Sequence, residues 1–187
     1  MVRLALLIAM AALLAGAPTN LQAQEKEPPA EPTEAEKRAE ARLHELGKVT
    51  PDFTLPLVGG GEVTLFNLLK GSKAVMVVFW GIEPQYGGDA IPKLYKLHRK
   101  LEERGLSTVV INPQDSLPEV KEFMEAQKID FLVAIDGKET NRAVTGVYRA
   151  RSLPAYYLLD RDSKVVWKGV VYREAPIVAA LEKLGVK

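Results

Sequence analysis

The segment Ala74–Trp80 constrains the fold of this chain more than any other feature. It reads Ala-Val-Met-Val-Val-Phe-Trp, and β-branched and aromatic residues dominate it. A strand with one face in water alternates apolar and polar residues, whereas a continuous apolar run is typical of a strand that is covered on both faces. The sequence therefore predicts a central strand between two layers of helices, which favours an α/β fold.

The residues after this run predict the remaining elements. Apolar residues at helical spacing from Ala90 to Leu101 indicate a helix that ends near Gly105, and Leu106–Ile111 is a second buried strand. The later elements are a capped helix from Ser116, a strand at 131–135, a short helix at 140–148, a hairpin of 155–159 with 165–171, and a last helix opened by Pro176. Alternating strands and helices that end in a hairpin predict a central mixed β-sheet flanked by helices.

A second hairpin is predicted before the central strand. Every second residue from Phe53 to Leu57 is apolar, and the triplet Gly59–Gly61 then turns the chain toward Val63 and Leu65. This pattern predicts an N-terminal β-hairpin.

The first 23 residues have the pattern of a signal peptide. Arg3 supplies a positive charge, Leu4–Ala15 is an uncharged apolar run, and Leu21-Gln22-Ala23 offers small residues near a cleavage point. The run is shorter than the roughly 20 residues that a membrane-spanning helix needs. We expect export to the periplasm or the extracellular space, with a retained membrane anchor as the alternative.

Residues 24–47 form a predicted linker and short helix. Pro, Glu and Lys dominate from Gln24 to Pro32, which is typical of a solvated linker. Thr33 and Glu36 form a capping box, and the apolar spacing predicts a helix that runs up to Gly47 and rests weakly on the domain. The main domain is predicted to span residues 48–187.

Charge and residue content exclude several functions. The formal net charge is +1, which gives no electrostatic reason to expect a nucleic-acid partner, or a membrane partner beyond the signal segment. The chain contains no cysteine, so disulfides, zinc–thiolate sites and thiolate nucleophiles are excluded. His44 and His98 lie on different predicted helices, and we expect neither a metal nor a cofactor.

From Lys48 to about Leu184 the chain resembles the thioredoxin-like redoxins of the TlpA-like, periplasmic thiol–disulfide oxidoreductase type. The resemblance implies a thioredoxin-like fold over nearly the whole mature domain. The segments that carry it are 51–55, 60–71 (with one additional leucine before Lys70), 77–80 and 153–160.

The active-site signature of that family is degenerate here. The family pattern is F-W-x-x-W-C-x-x-C-x-x-x-x-P, and Phe79, Trp80 and Pro92 keep its spacing. Pro84 and Gly87 stand where the pattern has its two cysteines. Neither residue carries a nucleophile or an exchangeable side-chain proton, so we assign no catalytic residue and expect neither disulfide exchange nor peroxidase chemistry.

The resemblance also implies a peptide-binding groove, which does not depend on the missing cysteines. In such folds a cis-proline, here Pro154, lies opposite the active-site turn and leaves backbone groups that can pair with an extended peptide. We expect Trp80, Glu83, Tyr86, Leu153 and Pro154 to line this groove.

The turn itself has two interpretations. The amides of Gly87 and Gly88 could bind an anion at a helix N-terminus. Alternatively, the glycines form a turn and Asp89 complements the helix end.

Two functions are consistent with these residues. The first is a non-catalytic binding or scaffold module for a peptide or protein partner in the cell envelope. The second is a component of a thiol–disulfide oxidoreductase or cytochrome-assembly pathway, whose chemistry would use Glu83 as an acid or base, or a bound cofactor.

Overall fold

The computed structural model describes residues 31–138 and 140–187. The predicted signal peptide at 1–23 and the linker residues 24–30 lie outside the described residues. The helices are α1 (Glu34–Glu40), α2 (Leu65–Gly71), α3 (Ile91–Leu101), α4 (Leu117–Gln127), α5 (Ala143–Val147) and α6 (Glu174–Lys183). The strands are β1 (Thr54–Pro56), β2 (Glu62–Thr64), β3 (Ala74–Phe79), β4 (Leu106–Asn112), β5 (Leu132–Ile135), β6 (Ala155–Asp160) and β7 (Val165–Gly169).

The central sheet is mixed, as predicted. Its strand order is β5-β4-β3-β6-β7. Strands β3, β4 and β5 run parallel, whereas β6 lies antiparallel to β3 and β7 antiparallel to β6. Every residue of the central strand β3 is buried, which explains why its sequence carries no polar residue.

Two apolar cores lie on opposite faces of β3. Met76, Val78 and Trp80 join the core that contains residues of α3, α4 and α6. Val77 and Phe79 join the other core, which includes the β1–β2 pair, α2 and Tyr148. This division follows from the two-residue period of a strand, which directs successive side chains to opposite faces.

The predicted N-terminal hairpin is present, and a helix that the sequence analysis missed follows it. Strands β1 and β2 pair antiparallel, with Thr54 opposite Thr64. The chain then enters α2, which buries Leu65 and Leu69 at a spacing of four residues. The sequence pattern alone places this segment in the hairpin and its loop.

The first described helix is shorter than predicted. The capping box between Thr33 and Glu36 is confirmed, but α1 ends at Glu40 rather than near Gly47. Leu43 is buried in the second core, and the Gly47 amide donates a hydrogen bond of 2.8 Å to the Val165 carbonyl. Between α1 and Gly47 the chain forms turns, and Gly47 has a left-handed φ of 76°. The contacts with the core and with β7 therefore override the helical spacing.

The last two helices differ in their bounds from the prediction. Helix α5 covers Ala143–Val147 instead of 140–148, and α6 begins at Glu174, two residues before Pro176. None of the helices in the described part of the chain has the length and apolarity needed to cross a lipid bilayer.

Candidate functional site

The loop after β3 does not lead directly into a helix. Pro84–Tyr86 form one 3₁₀ turn and Gly88–Ala90 form another, and Gly87 between them has a left-handed φ of 94°. Helix α3 begins only at Ile91. Both degenerate cysteine positions therefore lie ahead of the helix, in a segment with a break at Gly87.

Gly87 and Gly88 occupy positions that accept no larger side chain without a rearrangement. A Cβ atom on Gly87 would lie 2.8 Å from the Cβ of Pro154, in a backbone conformation that L-residues rarely adopt. A Cβ atom on Gly88 would lie 1.8 Å from the carbonyl oxygen of Ile82. The second cysteine position is thus packed directly against the proline that faces it.

The amides of these glycines serve the turns themselves. The Gly87 N–H donates to the Pro84 carbonyl at 3.0 Å, and the Gly88 N–H donates to the Glu83 carbonyl at 3.3 Å. The interpretation of these amides as an anion site is therefore wrong, because both are already hydrogen-bonded. The glycines form a turn, and exposed Asp89 lies just before α3.

A side-chain network that sequence reasoning missed holds this loop against the end of β4. The Ile82 N–H donates to Oδ2 of Asp115 at 2.8 Å, and the Asn112 side-chain amide donates to the same oxygen at 2.8 Å. The carbonyl oxygen of the Asn112 side chain accepts from the Asp115 N–H at 2.8 Å. These bonds position the loop opposite Pro154 without any contribution from sulfur.

The Leu153–Pro154 peptide bond is cis, as the resemblance implies. Both residues are half-buried and precede β6, which begins at Ala155. Within the described residues, the backbone N–H and C=O of Leu153 take part in no hydrogen bond. The Leu153 N–H and C=O, which belong to the two peptide bonds on either side of this residue, thus have no partner among the described residues.

A groove lies between the degenerate turn and this proline, and we call it the cis-proline groove. Its volume is about 570 Å³, which falls within the usual range of ligand sites. The residues that define it are Pro84, Gly87, Leu153, Pro154 and Tyr156, and residues of α1 and Val170–Tyr172 complete its walls.

Three of the predicted groove residues lie elsewhere than expected. Trp80 is fully buried and packs on Phe123 with ring centroids 5.2 Å apart, so its prediction as a lining residue is wrong. It continues the alternation of β3 and faces the core beneath α3 and α4. Glu83 is exposed, accepts a hydrogen bond from Gln85 and lines no part of the groove. Tyr86 lines an adjoining cavity of about 500 Å³, which it shares with Leu153.

Tyr156 is a groove residue that the sequence analysis missed. It is fully buried, and its hydroxyl has no hydrogen-bond partner among the described residues. The hydroxyl lies 3.4 Å from the position that a Cβ on Gly87 would take. Burial raises the pKa of Tyr156, and the negative charge of Asp89 raises it further, so the phenol is a neutral donor.

The mixed sheet, the cis-proline and the preceding turn define a thioredoxin-like protein without the dithiol. The chain belongs to the AhpC/TSA family, whose model matches residues 46–168. It is similar to a thiol-disulfide oxidoreductase ResA of Bacillus cereus, with 32% identity over 130 residues, 70% of this chain and 72% of the relative. It is also similar to ResA of Bacillus subtilis (strain 168), with 29% identity over 120 residues, 64% of each chain.

Solved structures show the same architecture. A hypothetical protein of Sinorhizobium meliloti 1021 matches with a TM-score of 0.66 and 25% identity, over 77% of this chain and 88% of that one. The thioredoxin domain of a thiol-disulfide oxidoreductase from Bacteroides vulgatus matches with a TM-score of 0.66 and 22% identity, over 76% of this chain and 99% of that one. The expected family and thioredoxin-like fold are confirmed.

Proposed function

We propose that this protein is an exported, non-catalytic thioredoxin-fold module that binds a peptide or protein partner in the cell envelope. The observation that carries the proposal is the unpaired backbone of Leu153 at the edge of the cis-proline groove. Export rests on the signal-peptide pattern from Arg3 to Ala23.

The Leu153 backbone, at the edge of the cis-proline groove, suits an extended peptide. A peptide that adds to a sheet gains affinity from main-chain hydrogen bonds and specificity from pockets for alternate side chains. Leu153 borders cavities on two sides, the cis-proline groove of about 570 Å³ and the adjoining cavity of about 500 Å³. Side chains of one bound peptide could therefore enter both.

The non-catalytic part of the proposal follows from the chemistry at the turn. Pro84 and Gly87 supply no thiolate, and the chain holds no cysteine elsewhere that could replace them. We expect the full chain to reduce insulin in the presence of dithiothreitol no faster than the uncatalysed reaction. Turnover of insulin by a pure preparation would refute this part of the proposal.

One comparison favours a second function. The similarity to proteins named thiol-disulfide oxidoreductase ResA supports a role in a thiol–disulfide oxidoreductase pathway, with chemistry that does not use cysteine. In the version of this role that uses an acid or base, Glu83 is the candidate. Glu83→Gln should then abolish the acid–base reaction of that pathway and leave peptide binding intact.

Peptide binding can be tested with a phage-displayed library of random heptapeptides. Exposed Ser152 lines the cis-proline groove, the adjoining cavity of about 500 Å³ and a further cavity of about 380 Å³. Ser152→Trp should therefore block binding at little cost in stability. Asn67→Trp, at an exposed position of α2, adds the same indole away from these cavities and serves as the control. Enrichment by the wild type and the control, but not by Ser152→Trp, is expected; no enrichment by the wild type would overturn the proposal.

A further inference from the structure

Unpaired arginines surround the peptide segment that carries Pro154. Arg42, Arg142, Arg149 and Arg151 are exposed, and within the described residues none of them forms an ion pair. We call these four residues the arginine rim. The rim differs from Arg173, whose guanidinium is paired with the Glu36 carboxylate at 2.8 Å.

The arginine rim is continuous with the cis-proline groove. Arg42, Arg149 and Arg151 line a cavity of about 380 Å³, and Ser152 belongs to this cavity and to the groove. Arg142 and Arg151 also line the cavity of about 500 Å³ that borders Leu153. A chain that pairs with Leu153 would thus have guanidinium groups along its path.

The arginine rim keeps a net positive charge when the nearby carboxylates are counted. Glu40 and Glu45 act on Lys168, where their charges raise its pKa while burial, the larger effect, lowers it. Arg149 acts on the same ammonium group with the opposite sign to the carboxylates. Asp89 and Lys93 also line the cis-proline groove with opposite charges, and Glu36 there is paired with Arg173. The four guanidinium groups, with Lys168 and Lys93, still outnumber Glu40, Glu45 and Asp89. Guanidinium is the group that best matches a carboxylate ligand.

The floor of the groove offers a second, independent sign of a ligand. Tyr156 is fully buried, lines the groove and has a hydroxyl without a partner in the described residues. A buried hydroxyl without a hydrogen bond destabilises the folded protein. A ligand acceptor beside Pro154 would remove this cost, whereas phenylalanine would avoid it in a groove that binds nothing.

We propose that the cis-proline groove selects acidic extended peptides: the arginine rim binds their side-chain carboxylates, and the Tyr156 hydroxyl donates to the bound chain. The proposal rests on the peptide-binding function proposed above and adds the chemical class of the partner. It explains why a nearly neutral chain places four guanidinium groups without partners around one peptide segment.

The composition of the selected heptapeptides provides the first test. We expect Asp and Glu to be enriched in peptides that the full chain selects at low salt. The most enriched peptide, made with blocked termini, should bind about tenfold more tightly than its version with Gln in place of Glu, as measured by fluorescence anisotropy. Arg149→Gln with Arg151→Gln should erase this difference.

Matched controls separate charge at the rim from charge in general. Lys100→Gln with Arg104→Gln removes two positive charges from the exposed end of the α3 region and should leave the preference unchanged. Tyr156→Phe should weaken binding roughly two- to tenfold while the midpoint of urea unfolding stays the same or rises, because it removes an unpaired buried hydroxyl. A purely structural Tyr156 would leave binding unchanged.

The outcomes distinguish this inference from the function on which it rests. Peptides selected without acidic enrichment, or equal binding of the Glu and Gln versions, would overturn the acidic preference and leave a peptide-binding groove. No selection of any peptide would overturn both.

Discussion

Gly87→Ala tests the close contact between the degenerate turn and Pro154. The new Cβ would lie 2.8 Å from the Cβ of Pro154, and the residue would keep a φ of 94°. The left-handed conformation costs an L-residue about 1–2 kcal/mol, and overpacking of a tight contact costs typically another 1–3 kcal/mol. We therefore expect the free energy of unfolding to fall by about 2–5 kcal/mol.

Gly60→Ala is the matched control for this variant. Gly60 has a φ of 93°, nearly that of Gly87, but a Cβ there would meet nothing within 4 Å. This variant should carry only the conformational cost of about 1–2 kcal/mol. Urea unfolding of the full chain, followed by tryptophan fluorescence, measures both values. Equal losses in the two variants would refute the reasoning, because the contact with Pro154 would then contribute nothing.

The remaining predictions concern the lost dithiol and one half-buried histidine. Pro84→Cys with Gly87→Cys should keep two free thiols, because a cysteine Cβ at position 87 meets Pro154 as alanine does. Titration of free thiols after treatment with oxidised glutathione measures this, and a rapidly formed intramolecular bridge would contradict it. Burial lowers the pKa of His98 more than the Glu102 carboxylate raises it. As the pH falls through about 6.5, this imidazole therefore binds its proton in the unfolded protein before it does so in the folded protein. Stability should therefore fall between pH 7.5 and 5.5 in urea unfolding, and His98→Gln should reduce this fall; a wild type that gains stability on acidification relative to the variant would contradict the sign.

The apolar run of β3 and the glycine-rich β1–β2 turn could be predicted because their signals are local. A period of two or a continuous apolar stretch specifies how many faces of a strand are covered, whatever the rest of the chain does. The loss of the dithiol was also readable, since the absence of cysteine is a property of composition alone.

The candidate site could be predicted only in part. Pro154 and Leu153 were identified from the resemblance, and the structure places them at the groove. Trp80 was assigned to the same groove from its position in the motif, yet the pleat of β3 turns it into the core. A motif gives the order of residues along the chain but not the face on which each side chain lies.

The amino-acid sequence alone determined the architecture, the central strand and the absence of thiol chemistry in this protein. Only the tertiary structure decided where α1 ends, that Gly87 packs on Pro154, and that the Tyr156 hydroxyl lies in the cis-proline groove without a partner among the described residues. The physical reason is sequence separation: Gly87 and Pro154, like Arg42 and Arg149, are distant in the chain, and they come together only when the sheet and its covering layers are assembled.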